Sequence, residues 1–479
     1  MKNELALIIF GRFFVAVAGL FALRIMTHYM PPERYGELSL LVVIQSMCGL
    51  ILVNPVGQYL NVNTHKWYDE GSLFSRLNSY RIYLFVVSLI AALLLFLIMS
   101  ETIESLLISA FALLIVVWSV NWNNTLVPLL NMLDARIASV VWSIITVVMA
   151  TVSSTLFIIY FEPSAHAWLL GQAIGMFLGI LGSKYSLRKF MPIAKKEKSV
   201  LITRKVFVSF CLPLSFATFF MWFSQNGYRF FVEYYWGLAA LAFFVVGFQV
   251  ATALWSIVET IAMQFLHPYY YRASSDITDG IKLQSALSDF VNTLIPLYIF
   301  LSAIMMLGAN QIIYLLVDSQ YHSAKDFFYF AVIVELVRVS SNVIGHAVQV
   351  KRKTKMLILP YFLYAIIMLV SVIVSGYFEF DMHTFVFSIF ISSVLFFVSM
   401  FFQMRRLISY KVNWRSIFYM SSFLFLVVIY VFYVKSNSAL TVFSSIYYLF
   451  SLGCGALLFI IYYLKISKPL KRFLEEKII

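Results

Sequence analysis

Apolar residues form long runs along the whole chain, and short polar connections separate one run from the next. Each run reaches about 18 residues or more, enough to cross about 30 Å of hydrocarbon as an α-helix. A membrane β-barrel would show segments of about 10 residues with alternating polarity instead. The pattern therefore predicts an all-α polytopic membrane protein with about 14 transmembrane helices. The predicted spans cover roughly 5–29, 36–60, 81–100, 105–128, 138–160, 167–187, 206–231, 237–265, 287–308, 326–348, 357–377, 384–402, 417–435 and 441–464.

Basic residues add an orientation to this pattern, because Lys and Arg near a span resist translocation. Of the 35 Lys and Arg residues, three lie in outside connections (Arg34, Lys325 and Lys435) and four inside spans, which leaves 28 on the side of the N-terminus. We therefore expect both termini to be cytoplasmic. The net charge of +13 then reflects topology and attraction to anionic membrane lipids, and it does not indicate nucleic-acid binding.

Composition and motifs exclude several other chemistries. Only 12% of the residues are charged, against about 25% in a typical soluble domain. The phosphate-binding pattern GxxxxGK[ST] is absent, and the three cysteines do not have metal-ligand spacing. We expect no cofactor and no metal. If the protein needs energy, the absence of a phosphate-binding loop means that it must come from an H⁺ or Na⁺ gradient or from the gradient of its own substrate.

A weak internal repeat divides the chain. RIMTHYMPPERYGELSLL begins at Arg24 and RFFVEYYWGLAALAFFVV begins at Arg229, and in both a helix break follows the arginine before a new helix opens. The repeat relates the first span to the seventh, which places two sets of six helices the same way up. It predicts a six-helix lobe over 1–190, a basic cytoplasmic linker over 191–205, a second six-helix lobe over 206–403, and two additional helices with a basic cytoplasmic tail over 404–479. The linker is interpreted as solvated chain, and docking of a cytoplasmic enzyme is the alternative.

The opening span with its arginine, the PPERYGELSLL segment (31–41) and the count of six, six and two helices resemble one known family. It is the O-antigen and polysaccharide-unit flippases of the multidrug/oligosaccharidyl-lipid/polysaccharide (MOP) exporter superfamily. The resemblance implies two lobes around a central cavity with alternating access, and an undecaprenyl-diphosphate-linked oligosaccharide as cargo. It further implies a bacterial cytoplasmic membrane, with polysaccharide polymerase and glycosyltransferases of the same pathway as partners.

Four arginines lie within predicted spans: Arg12, Arg24, Arg229 and Arg338. An arginine at a helix centre costs at least about 2.5 kcal/mol, so such residues usually face a cavity or a partner. The guanidinium fork suits the oxygens of a diphosphate. Snorkelling to the interface is the alternative for Arg12 and Arg24. We predict that the four arginines bind the cargo.

Three intramembrane acids are candidates for ion coupling: Glu233, Glu259 and Glu335. Glu233 follows Arg229 by four residues and Glu335 precedes Arg338 by three, so each pair can meet on one helix face. Such pairs neutralise themselves, or they act as switches that exchange an arginine for H⁺ or Na⁺. Glu259 has no basic residue three or four positions away, which predicts an isolated acid.

Two spans carry clusters of amides: Asn121, Asn123 and Asn124 in the fourth, and Gln225 and Asn226 in the seventh. Amides beside aromatic rings suit sugar hydroxyls and ring faces. Hydrogen bonds between helices are the equally favoured alternative.

Two other functions compete with the flippase. An ion-coupled multidrug extruder has the same fold, although twelve spans would suit it better than fourteen. A membrane glycan polymerase, ligase or glycosyltransferase would need acids or bases on a sizeable outside loop. The largest outside connection, about 309–325, contains Asp318 as its only acid, so we expect a protein that is not an enzyme.

Overall fold

The computed structural model describes residues 2–98, 103–190, 204–273, 280–351, 353–433 and 441–466, and these residues form helices and short connections without a strand. The predicted all-α class is therefore confirmed. The chain divides into two compact units, Met1–Ala242 and Phe243–Ile479.

The described part of the first unit contains eight helices and the beginning of a ninth. They are α1 (Lys2–Tyr29), α2 (Pro32–Met47), α3 (Asn54–Asp69), α4 (Leu73–Ile98), α5 (Ile103–Met132), α6 (Arg136–Tyr160), α7 (Ala165–Phe190), α8 (Arg204–Trp222) and α9 (Arg229–Ala273), which continues into the second unit. A π-helical turn, Cys48–Val53, joins α2 to α3, and a second, Phe223–Gly227, follows α8. Helix α7 packs along α6 and α5, α4 packs on α5, and α1 packs on α6.

The described part of the second unit contains the rest of α9 and seven more helices. They are α10 (Gly280–Leu307), α11 (Ala309–Leu316), α12 (Ala324–Lys351), α13 (Ile358–Tyr377), α14 (Met382–Leu407), α15 (Trp414–Tyr433) and α16 (Val442–Ile466). Helix α12 packs on α14 and α10, α13 on α14, and α15 on α10. The Asp381 carboxylate caps α14 by accepting bonds from the backbone N–H and the hydroxyl of Thr384 at 2.8 and 2.9 Å. These bonds lower the pKa of Asp381.

Twelve helical stretches of the described residues are long and apolar enough to cross a membrane. One of them, Phe207–Met263, has 57 residues and can cross twice, and Phe14–Tyr29 is a shorter apolar helix. The chain is therefore a multi-pass membrane protein with about 12–14 apolar helices. The orientation and the division into two six-helix lobes stay predictions. Most of the linker (191–203) and the tail (467–479) lie outside the described residues.

Helices α6 and α7 approach closely because glycines line their contact. A Cβ atom at Gly171 would overlap the backbone of Ser154, and one at Gly175 would overlap the backbone of Ala150. Small residues at such spacing let helix backbones pack closely within membranes. These two glycines of α7 thus serve helix packing inside the first unit.

Replacing Gly175 with alanine should lower the melting temperature of the purified protein. The added methyl group meets backbone atoms of Ala150, which no rotamer change can relieve, and overpacking typically costs about 1–3 kcal/mol. Gly453→Ala is the matched control, because a Cβ there meets no atom within 4 Å. Equal melting temperatures for the two variants would contradict the close α6–α7 contact.

The two members of the sequence repeat meet at a break in α9. Gly237 breaks the helix with a φ of 83°, in the left-handed region that favours glycine. Immediately after the break, Leu238 lies against the start of α2, where a Cβ at Gly36 would be 3.0 Å from its carbonyl carbon. Both segments belong to the first unit. The glycine of the PPERYGELSLL segment is therefore required for this close approach.

Candidate functional site

A partly buried network of two acids and one arginine lies in the second unit. Arg338 donates from Nε to Oε2 of Glu335 at 2.7 Å, and its terminal nitrogens lie 3.5 Å from Oε2 of Glu259. Asn342 donates to the other oxygen of Glu259 at 2.8 Å, and the Thr252 hydroxyl donates to Glu335 at 3.1 Å. Each of the five side chains therefore has a partner within this unit.

Two helices bring the network together, because each presents its members on one face. Thr252 and Glu259 lie seven residues apart on α9, and Glu335, Arg338 and Asn342 follow one another at spacings of three and four on α12. Trp255 lies between Thr252 and Glu259 in the sequence of α9, and its buried indole donates to the carbonyl of Val332 on α12 at 3.2 Å. This bond joins the two helices beside the network.

The network has a surplus of negative charge. Glu335 is only 9% exposed and close to Arg338, whereas Glu259 is 21% exposed and further from the same guanidinium. The phenols of Tyr298 and Tyr361 lie within electrostatic range of Arg338 and Glu259 but add no positive charge. Because an unbalanced charge is costly in an apolar interior, Glu259 is the acid of this network whose charge Arg338 offsets less closely.

The structure corrects one prediction about this network. Arg338 and Glu335 pair as their spacing predicts. Glu259 was predicted to be an isolated acid, and this is wrong, because Arg338 and Asn342 reach it from another helix. Only partners on the same helix are visible from spacing, whereas Arg338 lies 79 residues away in sequence.

The analogous pair in the first unit does not form. Among the described residues no ion pair joins Arg229 to Glu233, although both side chains are half-buried. The Nε atom of Arg229 is buried without a hydrogen-bond acceptor, and the guanidinium lies within electrostatic range of the buried Tyr35. The prediction of a self-neutralised pair is therefore wrong at this position, and the charge of Arg229 is not offset by Glu233.

The other two arginines lie on α1. Arg24 is half-buried. The backbone of Arg12 is helical, but its side chain lies outside the described residues. Their role in binding the cargo stays a prediction.

The predicted amides divide into two groups. Asn121 donates to the Val117 carbonyl of its own helix at 2.7 Å. Asn123 is buried against α7, with Nδ2 3.6 Å from the sulfur of Met176. These two contacts favour the structural alternative. Asn124 is exposed, and Gln225 and Asn226 are half-buried in the second π-helical turn, so sugar binding by these three stays a prediction.

The first unit also contains a cavity of about 510 Å³, which we call the aromatic cavity. Its lining residues come from the first π-helical turn, α3, α4 and α8: Ile51, Leu52, Val56, Tyr59, Leu60, Trp67, Arg76, Ser79, Tyr80, Tyr83, Phe207, Val208, Cys211, Leu212 and Ser215. The guanidinium carbon of Arg76 lies 4.6 Å from the ring centre of Trp67, a cation–π contact. Tyr83 donates to the carbonyl of Leu52 at 2.8 Å, which fixes one wall.

Neither the aromatic cavity nor the position of Arg76 beside it was predicted from the sequence. In the sequence Arg76 is one of the 28 basic residues assigned to the cytoplasmic side. Tyr59, Trp67 and Tyr83 do not stand out, because aromatic residues are frequent along the whole chain. Helix α8 forms one wall and lies more than 100 residues after α3 and α4 in the chain, so no local pattern could have placed these walls together.

No protein-family model matches the chain, and no curated protein matches it in sequence. Solved structures do match. The chain is similar to the lipid II flippase MurJ in an inward closed conformation, with a TM-score of 0.69 and 12% identity over 96% of this chain and 99% of that chain. It is also similar to a MOP superfamily transporter from Pyrococcus furiosus, with a TM-score of 0.57 and 14% identity over 84% of this chain and 94% of that chain.

An outward-facing multidrug resistance transporter of the MATE family, also in the MOP superfamily, gives a TM-score of 0.56 and 13% identity over 84% of this chain and 94% of that chain. Identities this low show the fold and nothing finer. The chain therefore has the fold that the lipid II flippase shares with MOP superfamily transporters.

Proposed function

We propose that this protein is a flippase for an undecaprenyl-diphosphate-linked oligosaccharide, such as an O-antigen, capsule or exopolysaccharide repeat unit. It moves this cargo from the inner to the outer leaflet of a bacterial cytoplasmic membrane by alternating access. The observation that carries the proposal is the likeness to a lipid II flippase over 96% of this chain. The likeness to MATE drug transporters is shorter, at 84%, which favours a lipid-linked cargo over a drug.

The arginines of the first unit support a diphosphate cargo. A cation within a span costs at least about 2.5 kcal/mol at a helix centre, so its retention implies a partner. Arg229 is half-buried, its Nε has no hydrogen-bond acceptor among the described residues, and Glu233 does not pair with it. A phosphate oxygen would supply the missing acceptor and charge. Arg12 and Arg24 are assigned to the same path.

The network of the second unit supports coupling to H⁺ or Na⁺. Glu259 is the acid whose charge Arg338 does not fully offset, and its second oxygen is held by Asn342. Neutralising Glu259 would weaken its attraction to Arg338 and favour a different packing of α9 on α12. This two-state element gives an ion gradient a way to bias the transport cycle.

The chemistry of the cargo defines the reactions on either side of transport. A glycosyltransferase must assemble the oligosaccharide on its lipid before transport, and a polymerase must consume the unit afterwards. These enzymes are the proposed partners, and the protein itself performs no covalent step.

Flipping of a fluorescent undecaprenyl-diphosphate oligosaccharide in proteoliposomes tests the proposal. We expect the parent protein to flip the lipid and to respond to a pH gradient or a Na⁺ gradient. Glu259→Gln removes the titratable group at nearly constant shape, so it should keep downhill flipping and lose at least tenfold of the response to the gradient. Glu104→Gln, at an exposed acid of α5, is the matched control and should behave like the parent.

A parent protein that moves no lipid-linked sugar under any gradient would overturn the flippase proposal. Gradient-driven efflux of ethidium by the same preparation would then identify a drug extruder. An unchanged gradient response in Glu259→Gln would refute only the coupling role of the network.

A further inference from the structure

The walls of the aromatic cavity are preformed by contacts between their rings. The Tyr59 ring lies edge-on to Phe207 of α8 at 5.2 Å and close to Trp67 at 6.0 Å. On the facing helix α4, Tyr80 and Tyr83 stack at 6.1 Å. Because these rings hold one another, the cavity presents a fixed set of aromatic faces to an occupant.

The chemistry of the walls suits hydrocarbon better than sugar. The described lining residues include no Asp, Glu, Asn or Gln. A bound sugar would therefore meet mainly hydroxyl groups and one guanidinium, with no carboxylate or amide side chain to pair with its hydroxyls. Ring faces and aliphatic side chains provide favourable contacts for an apolar chain.

One end of the cavity suits a phosphate. Among the described lining residues Arg76 alone is charged, and its guanidinium carbon lies 4.6 Å from the ring centre of Trp67. A planar guanidinium presents its N–H groups as a fork, which is the geometry that matches phosphate oxygens. The Lys and Arg distribution predicts that Arg76 lies in the cytoplasmic connection between the second and third spans, at the level of lipid phosphates.

The cavity is open towards lipid along α8. Val208 and Leu212 line it and are nevertheless 44% and 54% exposed. In a membrane-spanning helix, such exposed apolar side chains contact the hydrocarbon of the bilayer. A lipid chain could therefore enter sideways from the bilayer without passing through water.

We infer that the aromatic cavity holds the phosphate-proximal part of the polyprenyl chain of the cargo, with its nearest phosphate at Arg76. The inference rests on the proposed function, because a flippase must keep the tail in an apolar environment while the sugar leaves the aqueous side. The ring faces of the aromatic cavity suit the unsaturated, methyl-branched polyprenyl chain, and Arg76, the charged residue among its described lining residues, suits the phosphate. Membrane phospholipids are the competing occupant.

Photolabelling of the full-length protein in proteoliposomes tests the inference. One probe is an undecaprenyl-diphosphate sugar with a diazirine in the isoprene unit nearest the phosphate, and the other is phosphatidylglycerol with a diazirine in an acyl chain. We expect mass spectrometry to find the polyprenyl label on lining residues of α3, α4 and α8, and unlabelled undecaprenyl diphosphate to reduce that labelling at least fivefold. Excess phosphatidylglycerol should not compete.

Two variants of α8 sharpen the test. Ser215→Trp places a large ring inside the cavity and should reduce labelling by the polyprenyl probe at least fivefold. Phe216→Trp is the matched control, because Phe216 is the next residue, is 58% exposed and does not line the cavity. Arg76→Gln should weaken competition by undecaprenyl diphosphate more than competition by the uncharged polyprenol. The location of the label in the parent protein tests the inference even if a variant folds poorly.

The outcomes separate this inference from the proposed function. Flipping by the parent protein with labels found only elsewhere would overturn the inference and leave the flippase intact. Equal labelling by phosphatidylglycerol, undiminished by undecaprenyl diphosphate, would overturn it in favour of an ordinary lipid site. Specific labelling without any flipping would confirm the polyprenyl site and refute the proposed function.

Discussion

Arg338→Met should destabilise the second unit severely, by about 3–5 kcal/mol, because it leaves two partly buried carboxylates without their counter-charge. Arg338 is the cation that contacts both Glu335 and Glu259. The expected result is a large loss of folded protein on extraction and a strongly lowered melting temperature at neutral pH.

Two control variants test whether the loss of charge balance within the network causes the defect. Lys325→Met removes a cation from the first turn of the same helix, outside the network, and should leave the melting temperature almost unchanged. The neutral triple variant Glu259→Gln, Glu335→Gln, Arg338→Met should recover most of the stability but not the response to an ion gradient. A parental melting temperature for Arg338→Met alone would show that Arg338 does not offset the charges of Glu335 and Glu259.

Gly36→Leu should reduce the rate of cargo flipping at least tenfold. A side chain at this position meets the carbonyl group of Leu238, which is backbone and cannot rotate away. The start of α2 must therefore withdraw from the break in α9, so the conformation with the two segments in contact becomes inaccessible. The measurement is the proteoliposome assay, together with the melting temperature of the purified variant.

Gly19→Leu is the matched control on α1, because a Cβ at Gly19 meets nothing within 4 Å, and it should flip at the parental rate. Gly237→Ala tests the second source of strain near this contact, which is the positive φ of Gly237. Its φ of 83° and ψ of 171° cost a side chain about 1–3 kcal/mol. Because a Cβ at this position meets no neighbouring atom within 4 Å, the defect of Gly237→Ala should be milder. Parental flipping by Gly36→Leu would show that this contact is not part of the transport cycle.

The positions of the helices followed from the sequence because hydrophobic length is a local property. A run such as Ile103–Met132 is long and apolar by itself, and every backbone group in hydrocarbon must be satisfied within the helix. The predicted pairing of Glu335 with Arg338 succeeded for the same reason, since three residues along one helix determine that the two side chains are neighbours.

The same spacing rule failed where contacts between different helices determine the partner of a charged residue. Arg229 and Glu233 have a suitable spacing but do not pair, and Arg229 lies near the buried Tyr35 instead. Glu259 has no partner at helical spacing but contacts Arg338 and Asn342 across helices. A helix period states which residues share a face, and it does not state which face another helix covers.

By itself the sequence determined that this is an all-helical, multi-pass membrane protein with costly charges inside its spans, because length, polarity and helical spacing act over a few turns. Tertiary structure alone decided that Glu259 joins the network of Arg338, that the segments at Gly36 and Leu238 meet, and that Tyr59, Arg76 and Phe207 enclose one cavity. These contacts join helices distant in the chain, and their geometry depends on packing that no single segment encodes.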